Sequence, residues 1–384
     1  MNLPTTADIV VIGGGVMGAS TAYHLAQRGQ KNVVLLEKEE FFSLGASGRN
    51  AGGVRYQFGT EVNVLLSLES LPMLHRFPEE IDQEIDFRPY GYFMFVTNEN
   101  DKAVFEHNIA TQHRLGVMTE WLDGDEVRRR LPMMNLDDAI GASFNPNDGV
   151  VDPNSVVMGY INRATQMGVT CLTEVEVTGI QVEGSKISAV ETNQGSINTP
   201  IVVNAAGPWA KLIGDMAGLE IPIEPIRRQM MTTTPLPELP EDFPFVIDFE
   251  QSLYWHREGD GLLVGMSNKA EKPGFDQNID SDFELLTLEK AAERMPLLEK
   301  VGMASHWAGL YEVTPDAHPI YGSTPIEGFY LVGGFSGHGF MHGPISGLLM
   351  TEIILDGAAK TVDVSMLDFA RFAENRLIHE YNVI

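Results

Sequence analysis

The sequence predicts an α/β fold: a doubly wound, Rossmann-like nucleotide-binding sheet with a sheet-rich α+β second domain inserted into it. Three observations predict it. The chain opens on an apolar run, Ile9-Val10-Val11-Ile12, which turns through Gly13-Gly14-Gly15-Val16-Met17-Gly18 and reaches a second apolar run, Val33–Leu36, closed by Glu37. Apolar strands with glycine-rich ends return late, over residues 201–207 and 328–334. Between these stretches lie short alternating runs punctuated by prolines, which read as antiparallel strands.

The first unit can be read residue by residue. Gly13 permits the tight turn, Gly15 lets the backbone approach a pyrophosphate, and Gly18 lets the helix pack on the strand. Val16 and Met17 open a helix expected over about Val16–Arg28 and ended by Gly29. Its N-terminus offers free N–H groups and partial positive charge to an anion. Glu37, followed by Lys38, stands where a carboxylate binds a ribose 2′-hydroxyl and repels a 2′-phosphate, so FAD or NAD fits and NADP does not.

The next segment changes character. Gly91–Val96 reads as a strand, and a charge-laced stretch from Asp101 to Leu131 as helix. After Pro153 a helix over about Ser155–Met167 ends at Gly168, and strands follow over Val175–Val182, Lys186–Thr192 and residues 201–207. From Pro222 to Leu297 the runs 252–256 and 261–265 fit antiparallel strands. Pro344 is placed to open a last helix running to about Leu355. The expected organisation is a discontinuous cofactor domain over residues 1–85, 150–215 and 325–384, with a substrate domain built from 86–149 and 216–324.

Composition bounds the rest. With 384 residues and 43% hydrophobic content the chain can bury a substantial core. The 53 acidic and 26 basic residues leave a formal charge of −27, which argues against nucleic acid and against anionic membrane surfaces. Cys171 stands alone, so no intramolecular disulfide forms, which fits a reducing compartment. The first strand begins within ten residues of Met1, no apolar window is long enough to span a bilayer, and a cytoplasmic location is the default expectation. His338 and His342 have i, i+4 spacing, but Gly339 and Gly343 are expected to interrupt a helix there and no third ligand is evident, so no metal site is expected.

Four ordered motifs carry a family resemblance: the opening fingerprint, Ser47-Gly48-Arg49-Asn50-Ala51-Gly52-Gly53, Val203-Asn204-Ala205-Ala206-Gly207-Pro208-Trp209, and Gly334-Phe335-Ser336-Gly337-His338-Gly339-Phe340. Together they resemble the D-amino-acid oxidase superfamily of flavoenzymes over nearly the whole chain. The stretch Trp307–Ile320 is most similar to the sarcosine oxidase and L-proline dehydrogenase β-subunit branch. The resemblance implies FAD rather than NAD, with the flavin at the boundary of the two domains. It also implies that Ser47 to Gly53 approach the cofactor, with Arg49 as a charge-assisted donor to phosphate, that Ala205 to Gly207 and Trp209 lie against the dinucleotide, and that Val177 lies on the strand touching adenine. Packing alone competes for these last positions. His338 lies beside the flavin in the resemblance, although a histidine flanked by glycines also caps turns. A helix starting at Gly343-Pro344-Ile345 would direct its dipole at charge developing on the reduced ring.

The same resemblance places Arg55 on the carboxylate-binding arginine of monomeric sarcosine oxidase, and Tyr311 and, with a gap, Tyr254 on active-site tyrosines, although a surface ion pair for Arg55 and core packing for the tyrosines compete. Departures are as informative. Met341 replaces the family's second carboxylate-binding cation, a lysine directly after Gly337-His338-Gly339-Phe340. Gly309 replaces the cysteine that forms the flavin thioether, implying noncovalent FAD. Asp152 replaces a histidine that tethers FMN, and Leu263 replaces the lysine associated with oxygen activation. The implied activity is oxidation of the C–N bond of a small secondary or N-methyl amino acid, such as sarcosine or proline, by hydride transfer to flavin. A dehydrogenase with a protein or quinone acceptor is expected. A peroxide-producing glycine or sarcosine oxidase is the alternative, and a flavin-carrying subunit with a partner chain is a third reading.

Overall fold

The computed structural model describes residues 3–382. The opening unit folds as the spacing predicts, with strands Ile9–Ile12 and Val33–Leu36 flanking the helix Val16–Gln27. Every residue of both strands is buried, as parallel strands covered on both faces require. Every residue from Val16 to Ala26 is buried as well, so this helix is central rather than amphipathic. It packs between the helices Pro153–Gln166 and Gly339–Asp356.

Six strands form the first sheet, in the spatial order Ile320–Ser323, Phe329–Gly333, Val202–Asn204, Ile9–Ile12, Val33–Leu36, Thr170–Leu172. All neighbours are parallel except the first pair. The chain builds outward from Ile9–Ile12 in both directions, so the strand order reverses beside it. Carboxyl ends at such a switch point open a crevice. Gly13, Glu37, Ala205 and Gly334 all follow strand ends on that rim.

Eight strands form the second sheet, in the order Met303–Val313, Glu224–Thr233, Gly261–Met266, Leu253–Glu258, Phe245–Asp248, Tyr92–Val96, Gly141–Asn145, Glu120–Asp123. Only the pairing of Phe245–Asp248 with Tyr92–Val96 is parallel. The fold is therefore mixed α/β, a Rossmann-like sheet joined to a largely antiparallel one. Ile320–Ser323, on the second-domain side of the boundary expected at 324, pairs within the first sheet.

Three element expectations are corrected. The stretch from Asp101 to Leu131 is not one helix but two, Glu99–Arg114 and Gly124–Arg130, separated by the edge strand Glu120–Asp123. Gly116 at φ 91° ends the first helix, and the Asp123 side chain caps the second by accepting from Glu126 N–H. Within the region read as strands, Asp280 caps a further helix, Ser281–Arg294, by accepting from Phe283 N–H.

The third correction concerns the last helix. It begins at Gly339, not Gly343, so it runs uninterrupted through His342 and Gly343 and carries Pro344 in its second turn. Proline there costs one backbone hydrogen bond. Close packing offsets that cost: a Cβ on Gly343 would lie 2.3 Å from Val16 Cγ2 and one on Gly347 2.2 Å from Ser20 Oγ, so only glycines let the two helices approach this closely. Ser20 Oγ also donates to the Pro344 carbonyl at 3.0 Å.

Candidate active site

A cavity of about 340 Å³ runs from the rim of the six-stranded sheet to the face of the eight-stranded one. Gly13, Gly15, Val16, Met17, Glu37, Lys38 and Val177 line its first end, with Ala205, Ala206, Gly207 and Trp209 opposite. Gly13 has φ 111°, and a Cβ on it would lie 2.4 Å from the Ala205 carbonyl oxygen. Gly18 does not line the cavity. A Cβ there would stand 1.9 Å from Gly13 O, so its role is to let the helix close onto the turn.

The Glu37 carboxylate accepts from Gly14 N–H at 2.8 Å and Glu39 N–H at 2.9 Å, which fixes its direction at the end of its strand. Lys38 Nζ lies 4.0 Å over the Trp209 ring. Ser47 Oγ accepts from Val16 N–H at 2.9 Å, tying the glycine loop to the helix start. In that loop Asn50 accepts from Gly52 N–H and donates to Ser47 O. Ser47, Arg49, Asn50, Ala51 and Gly53 line the cavity. Gly52 instead approaches Val151, where a Cβ would lie 2.4 Å from the carbonyl oxygen. Arg49 donates through Nε to Leu44 O and through Nη1 to Ala308 O. It thereby fastens the loop to the second sheet, and Nη2 has no partner among the described residues.

At the second end Arg55, Tyr254, Tyr311 and His338 share the cavity with Gly309, Gly337, Gly339, Phe340 and Met341. Arg55 is 5% exposed and lies 4.1 Å over the Phe58 ring. Its Nη1 donates to Gln57 O and its Nη2 to Asn382 O. It is therefore not a surface ion pair, and burial pulls its pKa down. Burial raises both tyrosines, so each keeps its hydroxyl proton. Tyr254 fits because its cross-strand partner is Gly265, where a Cβ would lie 2.2 Å from Tyr254 Oη.

His338 occupies the N-cap position of the last helix, 1% exposed, and neither ring nitrogen has a partner among the described residues. Burial, with His342, His318 and Arg55 nearby, pushes it well below the ordinary imidazole value, so it is neutral. Because the helix starts at Gly339 with no side-chain cap, the amides of its first turn lie in the glycine cluster itself.

The family departures fall in different places. Met341 and Gly309 face the cavity. Leu263 is buried among Tyr254, Met230 and Phe245 and does not line the cavity. Asp152 caps the Pro153–Gln166 helix through Asn154 and Ser155 N–H. Cys171 is buried on a strand away from the cavity. Among the described residues no group of three or more His, Cys, Asp or Glu could hold a metal ion, and no helix is long and apolar enough to cross a membrane.

Several wall residues were missed from sequence, among them Tyr92, Arg228 and Glu312. For Arg228 a signal existed, since two successive arginines on a strand must point to opposite faces. Glu312 is buried and pushed up to about 7; Oε1 accepts from Phe335 N–H at 3.3 Å, and Oε2 has no partner among the described residues.

A fingerprint crevice at a switch point, continued into a chamber on a second sheet, is the arrangement of a dinucleotide-dependent enzyme. The family model described as DAO, FAD dependent oxidoreductase, matches residues 8–353, and the chain belongs to that family. Human mitochondrial sarcosine dehydrogenase is 32% identical over 98% of this chain, which spans 42% of that protein's length. FAD-dependent oxidoreductase domain-containing protein 1 of Xenopus laevis is 30% identical over 99% of this chain and 85% of its own. Among solved structures, L-proline dehydrogenase from P. horikoshii superposes with a TM-score of 0.91 at 34% identity, covering 98% of this chain and 100% of that one.

The protein is thus an FAD-dependent oxidoreductase. The residues present fit the cofactor: the Gly13 turn packs tightly on Ala205 at the strand ends, Glu37 is aimed by two amides, and the last helix brings an uncapped N-terminus to the far end.

Proposed function

We propose that this protein oxidises the C–N bond of a small secondary or N-methyl amino acid, sarcosine- or proline-like, as a dehydrogenase. The observation that carries the reading is the chamber at the second end: apolar walls from Met230, Phe245 and Ile247, hydroxyls from Tyr254 and Tyr311, a neutral His338 and a buried cation, Arg55, all continuous with the cofactor crevice. FAD, when bound, supplies the acceptor for the hydride leaving the carbon beside nitrogen.

The chain's own residues then position and desolvate the substrate. Arg55 sets a positive potential that suits a carboxylate. The tyrosine hydroxyls remain protonated and orient the amine, while His338, being neutral, enters as a hydrogen-bond partner rather than as a charge. With no cysteine on the wall and Gly309 at the thioether position, FAD is held noncovalently. The apolar Leu263, buried behind the wall, favours a protein or quinone acceptor over oxygen. The names of the sarcosine, dimethylglycine and proline dehydrogenases among its relatives support the same substrate class.

The test is anaerobic addition of a panel of secondary amino acids to the FAD-loaded protein. Bleaching of the visible flavin band by at least one is expected, and an unchanged spectrum across the panel defeats the reading. Stoichiometric peroxide under air would replace dehydrogenase with oxidase.

A further inference from the structure

Arg227 and Arg228 are neighbours on the strand Glu224–Thr233, and the pleat sends them to opposite faces. Arg227 faces acidic partners, with Glu271 at 3.2 Å, Asp276 at 3.3 Å and Asp280 at 3.8 Å. Arg228 faces the cavity and has no ion-pair partner among the described residues. Its Nη1 donates to the Arg227 carbonyl at 2.9 Å, and its Cζ lies 5.0 Å from the centre of the Tyr311 ring. Nε, fully buried, has no partner, and no protein acceptor takes Nη2. Nε and Nη2 lie on the same edge of the guanidinium, and of the two unused donors Nη2 is the one not fully buried, so it is the donor that meets a carboxylate oxygen from the chamber, with Nε unpaired behind it.

Arg55 offers less. Both of its terminal nitrogens already donate to backbone carbonyls. Position 341, at the start of the last helix, carries methionine and no charge. Across the register from Arg228 stands Gly309, which also lines the cavity and whose lack of a side chain lets Arg49 approach, since a Cβ there would lie 3.0 Å from Arg49 Cβ. A half-buried cation with two unused donors and no counter-ion is costly unless its partner arrives with the ligand.

We propose that Arg228 is the residue that grips the substrate carboxylate, from the sheet side of the chamber, with Arg55 acting behind it as buried electrostatic support. The inference rests on the amino-acid reading above and deepens it: a substrate must present a free carboxylate within reach of Arg228 Nη2. Amides, esters and simple amines of the same shape are then poor ligands because they leave that donor unpaired.

The test uses the FAD-loaded protein and 2-furoate, a planar carboxylate with no amine to oxidise, read by perturbation of the flavin spectrum and by calorimetry. FAD content and melting temperature report on folding. Arg228→Met is expected to weaken furoate about 100-fold, as expected for loss of a charge-assisted pair. Arg228→Lys should recover part of that loss, because it keeps the charge and loses the fork. For any substrate found in the bleaching panel, Arg228→Met should act mainly on KM, and its disadvantage should vanish for the matching carboxamide. Wild-type affinity for furoate in Arg228→Met overturns the proposal, as does absence of furoate binding by the wild type in both measurements. Furoate binding that depends on Arg228, in a protein that no amino acid bleaches, would uphold the anion site and defeat the substrate reading instead.

Discussion

The two ends of the cavity are built from different material. At the first end the backbone sets most of the shape: the turn at Gly13 and Gly15, the Gly14 and Glu39 amides that aim Glu37, and the turn at Gly207. At the second, side chains set it: Tyr92, Arg228, Tyr254 and Tyr311 on strands of one sheet, Arg55 just after the short strand Gly53–Val54, and His338 at the start of the last helix. A backbone site has no room for an added carbon. A side-chain site can exchange its groups while the sheet beneath it stays, so under the proposed function substrate preference would be set there.

The largest break in that contrast would come at Gly13. Gly13→Ala places a Cβ 2.4 Å from Ala205 O at φ 111°, a conformation that L-residues avoid. FAD affinity should fall by about 100-fold or more, equivalent to roughly 3 kcal/mol. Flavin absorbance per mole of purified protein measures it, and a fully loaded Gly13→Ala protein would refute the claim that backbone approach defines this end.

A smaller effect is expected from Tyr254→Phe. The ring keeps its place opposite Gly265, so the fold and FAD content should not change. Losing one neutral hydrogen bond to substrate should lower kcat/KM about tenfold. Equal loss of FAD binding would mean that the two ends are not separable.

The same contrast explains what could be read in advance. The fingerprint was legible because Gly13, Gly15, Gly18 and Glu37 stand at short, fixed spacing in one segment, although the close approaches of Gly13 to Ala205 and of Gly15 to Ser47 are made across the fold. The last helix was misread because Pro344 is a local signal for a helix start, whereas its tolerance at an interior position depends on a helix over three hundred residues away packing against Gly343 and Gly347. Charge concealed the break near Gly116, since Glu120 and Asp123 on an edge strand look the same in sequence as residues on a solvated helix face. Arg228 went unnoticed for a related reason. Its neighbours in the chamber lie on other strands, and only the pairing with Gly309 and the face opposite Arg227 reveal where it points. Gly52 was assigned to the cofactor by its motif, yet its close approach is to Val151.

The finest separation of the two ends comes from a pair of buried carboxyls. Glu312 lies against Gly207 and Gly333 on the cavity wall, and Asp148 holds Tyr56 N–H and the Gln57 amide, each at 2.8 Å, behind Arg55. Burial pushes both up to about 7, from ordinary values of 4.5 and 3.8. A carboxyl raised in this way keeps its proton in the folded chain over a range where the unfolded chain has lost it, so stability falls as pH rises toward the folded value. Between pH 6 and 8 each group should cost on the order of 1 kcal/mol, read as a lower melting temperature. Glu312→Gln and Asp148→Asn should each remove its share of that slope. Only Glu312 puts its charge on the wall of the nucleotide crevice, where it would repel an anionic cofactor. Wild-type FAD affinity should therefore weaken as pH rises through 7, and Glu312→Gln should abolish that dependence while Asp148→Asn leaves it in place. An equal effect of the two variants on the pH dependence of FAD binding would show that the electrostatics of the two ends are coupled, and the division drawn between them would fail.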